Sequence, residues 1–380
     1  MTEKKKFIDK MVQNEILDKF QNLEKSTIEK LKKIAEEFKG KEKAKIALLT
    51  HKKRDPDGVS SCAALKRWFR GQGVKSENIE IFADGDPISR ETKVMTDKIG
   101  VEIHPSKEID RRKHKVIILL DAASTKQANV GFKYEPDLTI DHHSDEDPYG
   151  STATIMTLLL TIFGYEIEED LATVLTIGID TDTDNRTSKK VTEFDTLAYR
   201  KILSPLVDDR LWKEIVDCGY LASFREMLSK AISRHKYYFK KESTVISGVG
   251  YIKEAHRIYL PKIANFLLDE EGVEKVIVIA IVEYEIKDKE GNVTCHKKFI
   301  IPTTRSSTGT ENAADLNKRV FGEDLAGGDT FKASGAVPLK NGDIKFIERA
   351  KKHKNKEALE GYFKDKLNCY KEKILEEETK

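Results

Sequence analysis

A chain of 380 residues is too long for one domain of ~150 residues and long enough for two. Its 67 Lys and Arg stand against 65 Asp and Glu, a net charge of +2, so any polyanion must be held by a local basic site and not by a global field. Hydrophobic residues make up 39%, enough for packed cores, and Cys62, Cys218, Cys295 and Cys369 lack metal-type pairing. That composition argues against wholesale disorder, a disulfide framework or a zinc site, and fits a reducing compartment.

The N-terminal MTEKKKFIDKM has no signal-peptide apolar core, and the longest apolar run, 276–282, is too short for a bilayer. A cytoplasmic protein without a membrane partner is expected. Through residues 1–44, Ile8, Met11, Ile16, Leu17, Phe20 and Leu23 recur at helical spacing, predicting amphipathic helices that stop at Gly40 and pack on the domain C-terminal to them. From 45 the pattern changes. Short apolar runs at 45–50, 79–83, 115–120, 137–140 and 174–179 read as strands, alternating with helices over 58–70, 89–99 and 151–163. Such alternation predicts a mostly parallel α/β sheet, whose ligands sit beyond the carboxyl ends of its strands.

Residues 192–240 read as helical throughout. A second α/β unit begins near 243, with a helix over 261–270, strands over 275–284 and 297–305, a helix over 312–319 and a glycine-rich segment at 327–336. Residues 350–380 read as a solvated helix. The fold class is therefore α/β: two α/β lobes, the first with a mainly parallel sheet, joined by a helical linker with the active site in the cleft. Trp68 and Phe69 are expected in the core, and Cys62 as a packed small residue.

The chemistry concentrates at the predicted strand ends. Run 45–50 empties into His51, Asp55, Asp57 and Gly58; run 115–120 ends in Asp121; run 137–140 ends in Asp141-His142-His143; run 174–179 ends in Asp180, Asp182 and Asp184. One strand-end Asp is usually a turn or cap residue. Four such blocks on one sheet edge, two containing His, point to a site. Converging Asp55, Asp57, Asp121 and Asp182 would repel one another and take up protons unless neutralised, and two divalent ions supply the needed charge. Mixed imidazole and carboxylate donors suit Mn²⁺ better than Mg²⁺. Two such ions, about 3.5–4 Å apart, activate water and clamp the oxygens of a displacement at phosphorus, which suggests a two-metal phosphoesterase.

These motifs resemble the DHH/DHHA1 phosphoesterase family, which includes RecJ-type exonucleases, nanoRNases and cyclic-dinucleotide phosphodiesterases. The likeness rests on His51-x3-Asp55-x-Asp57-Gly58-x-Ser60, on Leu120-Asp121, on Asp141-His142-His143 and on the segment from Gly178 to Asp182, and it spans about residues 45–340. The resemblance implies that His51, Asp55 and Asp121 hold one metal while Asp57, Asp121, His142 and Asp182 hold the other. Asp121 then bridges, His143 acts on the scissile phosphate or leaving oxygen, and Asp141 orients a neighbouring His. Asp180 and Asp184 read as surface-turn residues. The implied cofactor is a pair of Mn²⁺ ions, with Mg²⁺ or Co²⁺ as substitutes.

By the same resemblance the chain divides into a helical extension (1–44), a DHH catalytic metal-binding domain (45–200), a helical linker (201–242), a DHHA1-like substrate domain (243–350) and a C-terminal helix (351–380). Arg305, Ser306, Gly327, Gly328 and Ser334 are its candidate substrate contacts, since Arg offers paired donors to phosphate and glycines let backbone N–H groups approach an anion. Asp329 stands where the family usually carries His, which weighs against the 3′-phosphoadenosine 5′-phosphate and cyclic-dinucleotide readings. Lys52, Lys53 and Arg54 either steer phosphates or form a solvated loop. The expected function is a RecJ-like exonuclease, archaeal in type, that releases mononucleotides from single-stranded DNA or RNA or from short oligonucleotides, with replication or repair proteins as partners. A nanoRNase, a phosphatase of 3′-phosphoadenosine 5′-phosphate, a cyclic-dinucleotide phosphodiesterase and a replication scaffold are the alternatives.

Overall fold

The computed structural model describes residues 3–52, 54–85, 87, 89–125, 132–144, 147–188, 191–219, 222–238, 244–287, 293–308, 312–328 and 330–379. Lys53 and Asp329 lie outside the described residues. The chain forms two compact units, Met1–Gly219 and Tyr220–Lys380.

In the first unit α1 (Glu3–Leu23) and α2 (Lys25–Phe38) precede a five-stranded, wholly parallel sheet. Its strands are β1 (Lys45–Thr50), β2 (Ile79–Phe82), β3 (Ile103–His104), β4 (His114–Leu120) and β5 (Leu138–Ile140), in the order β3-β2-β1-β4-β5. Among the described residues, the helices following the sheet strands include α3 (Pro56–Gly71), α4 (Arg90–Lys98), α5 (Thr152–Ile162) and α6 (Glu169–Asp182). Burial explains the apolar runs: β1 is buried from Ile46 to Thr50 and β4 from Ile117 to Leu120, as expected of parallel strands covered on both faces. The expected packing of the N-terminal helices holds where side chains are described. Phe20, Ile28, Leu31, Ala35 and Phe38 enter the same core as Trp68, Phe69 and Cys62.

One strand assignment is overturned. Residues 174–179 lie within α6, a helix buried without interruption from Leu171 to Ile179. A helix sunk in the core is apolar on every side, so it shows the continuous apolar run of a buried strand and no 3.6-residue period. The expectation of unbroken helix over 192–240 is also corrected. That stretch holds α7 (Glu193–Leu197), a π-helical turn (Ala198–Leu203), a 3-10 turn (Ser204–Leu206), α8 (Asp209–Val216), α9 (Ala222–Arg234) and the short strand β6 (Lys236–Tyr238). Pro205 has no N–H to donate, and its ring restricts the chain just where the regular hydrogen bonding changes.

The second unit carries a mixed sheet in the order β10-β11-β9-β8-β7-β6, with one further strand beside β9. The strands are β7 (Thr244–Lys253), β8 (Lys275–Lys287), β9 (Val293–Ser306), β10 (Ala326–Gly328), β11 (Lys332–Gly335) and β12 (Val337–Pro338). β7 and β8 run parallel, and the other pairings are antiparallel. The sheet is accompanied by α10 (Tyr259–Leu268), α11 (Ala313–Phe321), α12 (Asn341–Lys352) and α13 (Lys356–Thr379). The last helix is not simply solvated: Phe363, Leu367 and Ile374 are buried with Ile246, Ile277 and Ile279 of the sheet.

Candidate metal centre

Strand register brings the first unit's chemistry together. Thr50 pairs with Leu120, and Leu120 with Ile140, so β1, β4 and β5 end level with one another. The next residues, His51, Asp121 and Asp141, leave the sheet side by side, with β4 in the middle. The chain proceeds from β1 to β2 on one side, while β4 lies on the other, so the site occupies the sheet's topological switch point. Asp121 turns off β4 in the left-handed region (φ 56°), a conformation that Asp tolerates better than most side chains.

Two helices add the remaining groups. Asp55 caps α3 by accepting the Gly58 N–H at Oδ1 (3.0 Å), and Asp57 lies fully buried in the helix's first turn. Asp57 is held by the N-terminus of α5, accepting from Thr152 N–H (2.8 Å) and Ala153 N–H (2.6 Å). Those N–H groups have no partner within their helix, and the helix dipole favours the negative charge. Asp182 arrives from the last turn of α6, not from a strand.

The result is two donor groups sharing one residue, with a third, Asp121, His142 and His143, overlapping the second. Single ligand-type atoms of His51, Asp55 and Asp121 lie within 4.8 Å of one another, and so do those of Asp57, Asp121, His142 and Asp182. His51 Nε2 is 2.7 Å from Asp55 Oδ2 and 3.2 Å from Asp121 Oδ2. His142 Nε2 is 3.0 Å from Asp182 Oδ2, 3.5 Å from Asp121 Oδ1 and 3.7 Å from Asp57 Oδ2. Asp121 Oδ2 and His142 Nε2 are buried without a hydrogen bond of ordinary geometry. Buried polar atoms rarely go unpaired, and a cation between these groups would satisfy both.

His143 is placed differently. Its Nδ1 is 2.7 Å from Asp141 Oδ1 and 3.9 Å from Asp121 Oδ1, and its side chain is 40% exposed. Asp141 thus orients His143, leaving Nε2 as the nitrogen able to meet a substrate. Asp180 is half-buried near the end of α6, 3.3 Å from Arg186, and belongs to neither donor group; burial pushes its carboxyl up to about 6 against the opposing Arg186 charge. Asp184 takes a left-handed turn conformation (φ 49°). Arg54 is tied down by donating to the Ala83 carbonyl (3.0 Å), while Lys52 is exposed.

Electrostatics reflect the crowding of carboxylates and imidazoles. Burial raises the Asp57 carboxyl well above its usual range, with the Asp121 and Asp182 charges adding to the effect. Burial also raises Asp182, opposed by the His142 hydrogen bond. Burial would lower both imidazoles, but their carboxylate partners outweigh it, lifting His51 to about 10 and His142 to about 11. Burial opposes ionisation of Asp121 too, yet the hydrogen bonds to His142 and His51 hold it below the usual range. His143 is raised by its hydrogen bond to Asp141.

These shifts make the stability of metal-stripped protein depend on pH. His51 and His142 are raised relative to an unfolded His near 6.5. Their stabilising contribution is complete below pH 6.5 and is lost as pH rises through about 10 to 11. In EDTA, Tm should therefore fall between pH 7 and 10.5, and a divalent cation should flatten the curve while releasing protons on binding. Thermal melts and calorimetry in buffers of different ionisation enthalpy check both; a metal-free Tm that rises over that interval would contradict the electrostatics.

Three supporting elements were not legible as functional in the sequence. Thr152 donates its hydroxyl to Asp121 Oδ1 (3.3 Å), besides giving its N–H to Asp57. Asp195, fully buried, accepts from Gly150 N–H, Thr154 Oγ1 and Thr192, fixing the loop that starts α5. Arg186 stacks on Tyr199, with its guanidinium carbon 3.5 Å from the ring centroid. The Ser151 cap before an apolar run marks α5 as a helix start, but its use by Asp57, from 95 residues away, carries no local signal.

In the second unit Arg305 lies near the end of β9, held by Asn265 Oδ1 (3.1 Å) and the Thr304 carbonyl (2.8 Å). Ser334 Oγ donates to Pro302 O (2.9 Å), and Ser306 N–H to Phe331 O (2.9 Å). Gly328, at φ 143°, has a structural need to be glycine: a Cβ there would sit 2.1 Å from Lys332 O and 2.6 Å from Ala333 Cα. Around Gly327 a Cβ would meet nothing within 4 Å.

Residues 45–179 match the DHH family, N-terminal domain. The first unit therefore carries a DHH-family domain. An uncharacterized protein of Methanocaldococcus jannaschii is 29% identical over 359 residues, covering 91% of this chain and 66% of that protein. A probable manganese-dependent inorganic pyrophosphatase of Archaeoglobus fulgidus is 29% identical over 172 residues, 40% of this chain and 52% of the relative. The chain spans 52% to 66% of the length of the curated relatives it matches. Among solved structures, an exopolyphosphatase-related protein from Bacteroides fragilis superposes with a TM-score of 0.62 at 19% identity, covering 91% of this chain and 98% of the other. At that identity the likeness is one of fold. Among the described residues no helix is long and apolar enough to cross a membrane.

Proposed function

We propose that this chain is a two-Mn²⁺ phosphodiesterase that shortens single-stranded or short nucleic acid from an end, releasing mononucleotides in the manner of a RecJ-like exonuclease. The observation that carries the reading is the meeting of two donor groups at Asp121. His51, Asp55 and Asp121 would hold one ion, and Asp57, Asp121, His142 and Asp182 the other. Bound there, the ions would lower the pKa of a water and neutralise charge building on the phosphate oxygens. The mixed donor set favours Mn²⁺ over Mg²⁺, and manganese is named for the Archaeoglobus fulgidus relative.

The remaining steps belong to the chain. Asp121 sets the separation of the two donor groups. His143, aligned by Asp141, gives a proton from Nε2 to the departing oxygen. Thr152 and Ala153 keep Asp57 aimed at the centre without a rotamer search. In the second unit Lys332 pairs directly opposite Arg305 on neighbouring antiparallel strands. Two cationic side chains at directly opposite positions suit a phosphate, which supports a phosphate-binding role for this part of the sheet. Gly327 and Gly328 lie in β10, the next strand out from β11.

Arg305→Ala should raise KM by about tenfold or more with kcat little changed, since the residue binds a phosphate away from the reacting one. A lower kcat at unchanged KM would place Arg305 at the transition state instead. The reading as a whole is tested with end-labelled DNA and RNA strands from two to forty nucleotides in Mn²⁺, alongside 3′-phosphoadenosine 5′-phosphate, cyclic di-AMP and pyrophosphate. Stepwise shortening of the long strands is the expected result. Hydrolysis confined to dinucleotides, cyclic substrates or pyrophosphate would overturn the strand assignment while leaving the metal chemistry standing.

A further inference from the structure

We infer that Arg186 is a positioning residue for the metal centre: stacked on Tyr199 and paired with Asp180, it locks the end of α6 so that Asp182 faces His142. This deepens the two-metal reading and rests on it.

The chain leaves α6 by an unusual route. Asp184, Asn185 and Arg186 succeed one another in the left-handed region, at φ 49°, 54° and 64°. Helices commonly end with one such residue, usually Gly. Three in a row without a glycine is a strained run, and strain of this kind persists only where its surroundings fix it. The turn is useful because it folds back to cap the helix. Asn185 N–H donates to Asp180 O (2.8 Å), and Ser188 N–H and Thr187 N–H both donate to Thr183 O (3.0 and 3.1 Å). Arg186 N–H donates to Thr183 Oγ1 (3.1 Å), whose hydroxyl in turn donates to Ile179 O (2.5 Å). These contacts grip the last turn of the helix, which carries Asp182, and its cap residue Thr183.

Arg186 supplies the external anchor for that turn. Its guanidinium carbon lies over Tyr199, 3.5 Å from the ring centroid, and Nη1 sits 3.3 Å from Asp180 Oδ1. Tyr199 belongs to the π-helical stretch Ala198–Leu203, a rare geometry often kept at functional sites. The preceding α7 carries Asp195, which fixes the start of α5 and so the N–H groups that hold Asp57. One short segment of chain, 195–199, therefore braces Asp57 from one side and Asp182 from the other, both in the donor group around His142. The other group meets this bracing at the shared Asp121, through the Thr152 hydroxyl, while His51 and Asp55 come from the end of β1 and the cap of α3.

The asymmetry gives the test. In full-length protein, Mn²⁺ binding is titrated by calorimetry and by electron paramagnetic resonance for wild type, Arg186→Ala, Arg186→Lys and Tyr199→Leu, with thermal melts alongside. Arg186→Ala and Tyr199→Leu should weaken one of two Mn²⁺ sites by tenfold or more and leave the other within twofold. Arg186→Lys, which keeps the charge near Asp180 but loses the planar stack, should recover part of the affinity. Wild type binding two ions while Arg186→Ala binds both unchanged, or loses both equally, would overturn the inference and spare the two-metal reading. Wild type binding no pair of ions would overturn that reading itself.

Discussion

Replacing Asp121 by Asn should reduce divalent-metal-dependent hydrolysis by about a thousandfold or more while leaving the protein folded. Changes to groups that merely support a metal ligand already cost about 10–100-fold. Asp121 is the one residue common to both donor groups, and its removal takes a negative charge from each. Asn is the informative substitute because Asp121 sits at φ 56°. Asn visits the left-handed region readily, whereas Ala there adds roughly 1–2 kcal/mol of backbone strain that would confuse folding with chemistry. Melting temperature and steady-state rates, measured on the same preparation, separate the two. Substantial residual hydrolysis in a folded Asp121→Asn protein would remove the shared carboxylate from the mechanism.

Gly58→Ala should be the most damaging single-methyl change in the first unit. A Cβ at residue 58 would lie 2.2 Å from Thr50 Oγ1 and 3.0 Å from Asp121 Oδ2. Thr50 is fully buried in β1 and cannot turn away into solvent. Overpacking of this kind costs about 1–3 kcal/mol, and here the yielding atoms belong to the end of β1 and to the shared carboxylate. Mn²⁺ affinity should fall with stability, by about tenfold or more. Gly327→Ala is the control, because its Cβ enters open space and the fold should not change. Denaturant melts and metal titrations of both variants check the contrast; wild-type metal affinity in Gly58→Ala would mean that the crowding at Asp121 is relieved without cost.

Much of the centre was legible because parallel strands that end level must deliver their next residues to one place. His51, Asp121 and Asp141-His142-His143 come directly after apolar runs that are true strands, and the structure sets them side by side. Asp182 is reached from the sequence by a partly mistaken route. Its apolar run is a buried helix, and no period could reveal that, since every side of α6 meets protein. Gly178, read as part of a motif, marks where α6 crosses its neighbours: a Cβ there would press on Ser60, Ala153 and the Asp57 backbone. The bracing by Thr152, Asp195, Arg186 and Tyr199 was invisible because each pairs with a partner far along the chain or depends on backbone conformation. The glycine pair in the second unit shows the opposite case. Its sequence suggests an anion cradle, yet Gly328 is already required by the close approach of β10 and β11.

The decisive measurement is the anomalous diffraction of manganese in crystals of the full-length protein grown with Mn²⁺. Two peaks per chain are expected, about 3.5–4 Å apart, on either side of the Asp121 carboxylate. One should be bounded by His51 and Asp55, the other by Asp57, His142 and Asp182. A single peak, or two peaks that do not share Asp121, would refute the two-metal centre.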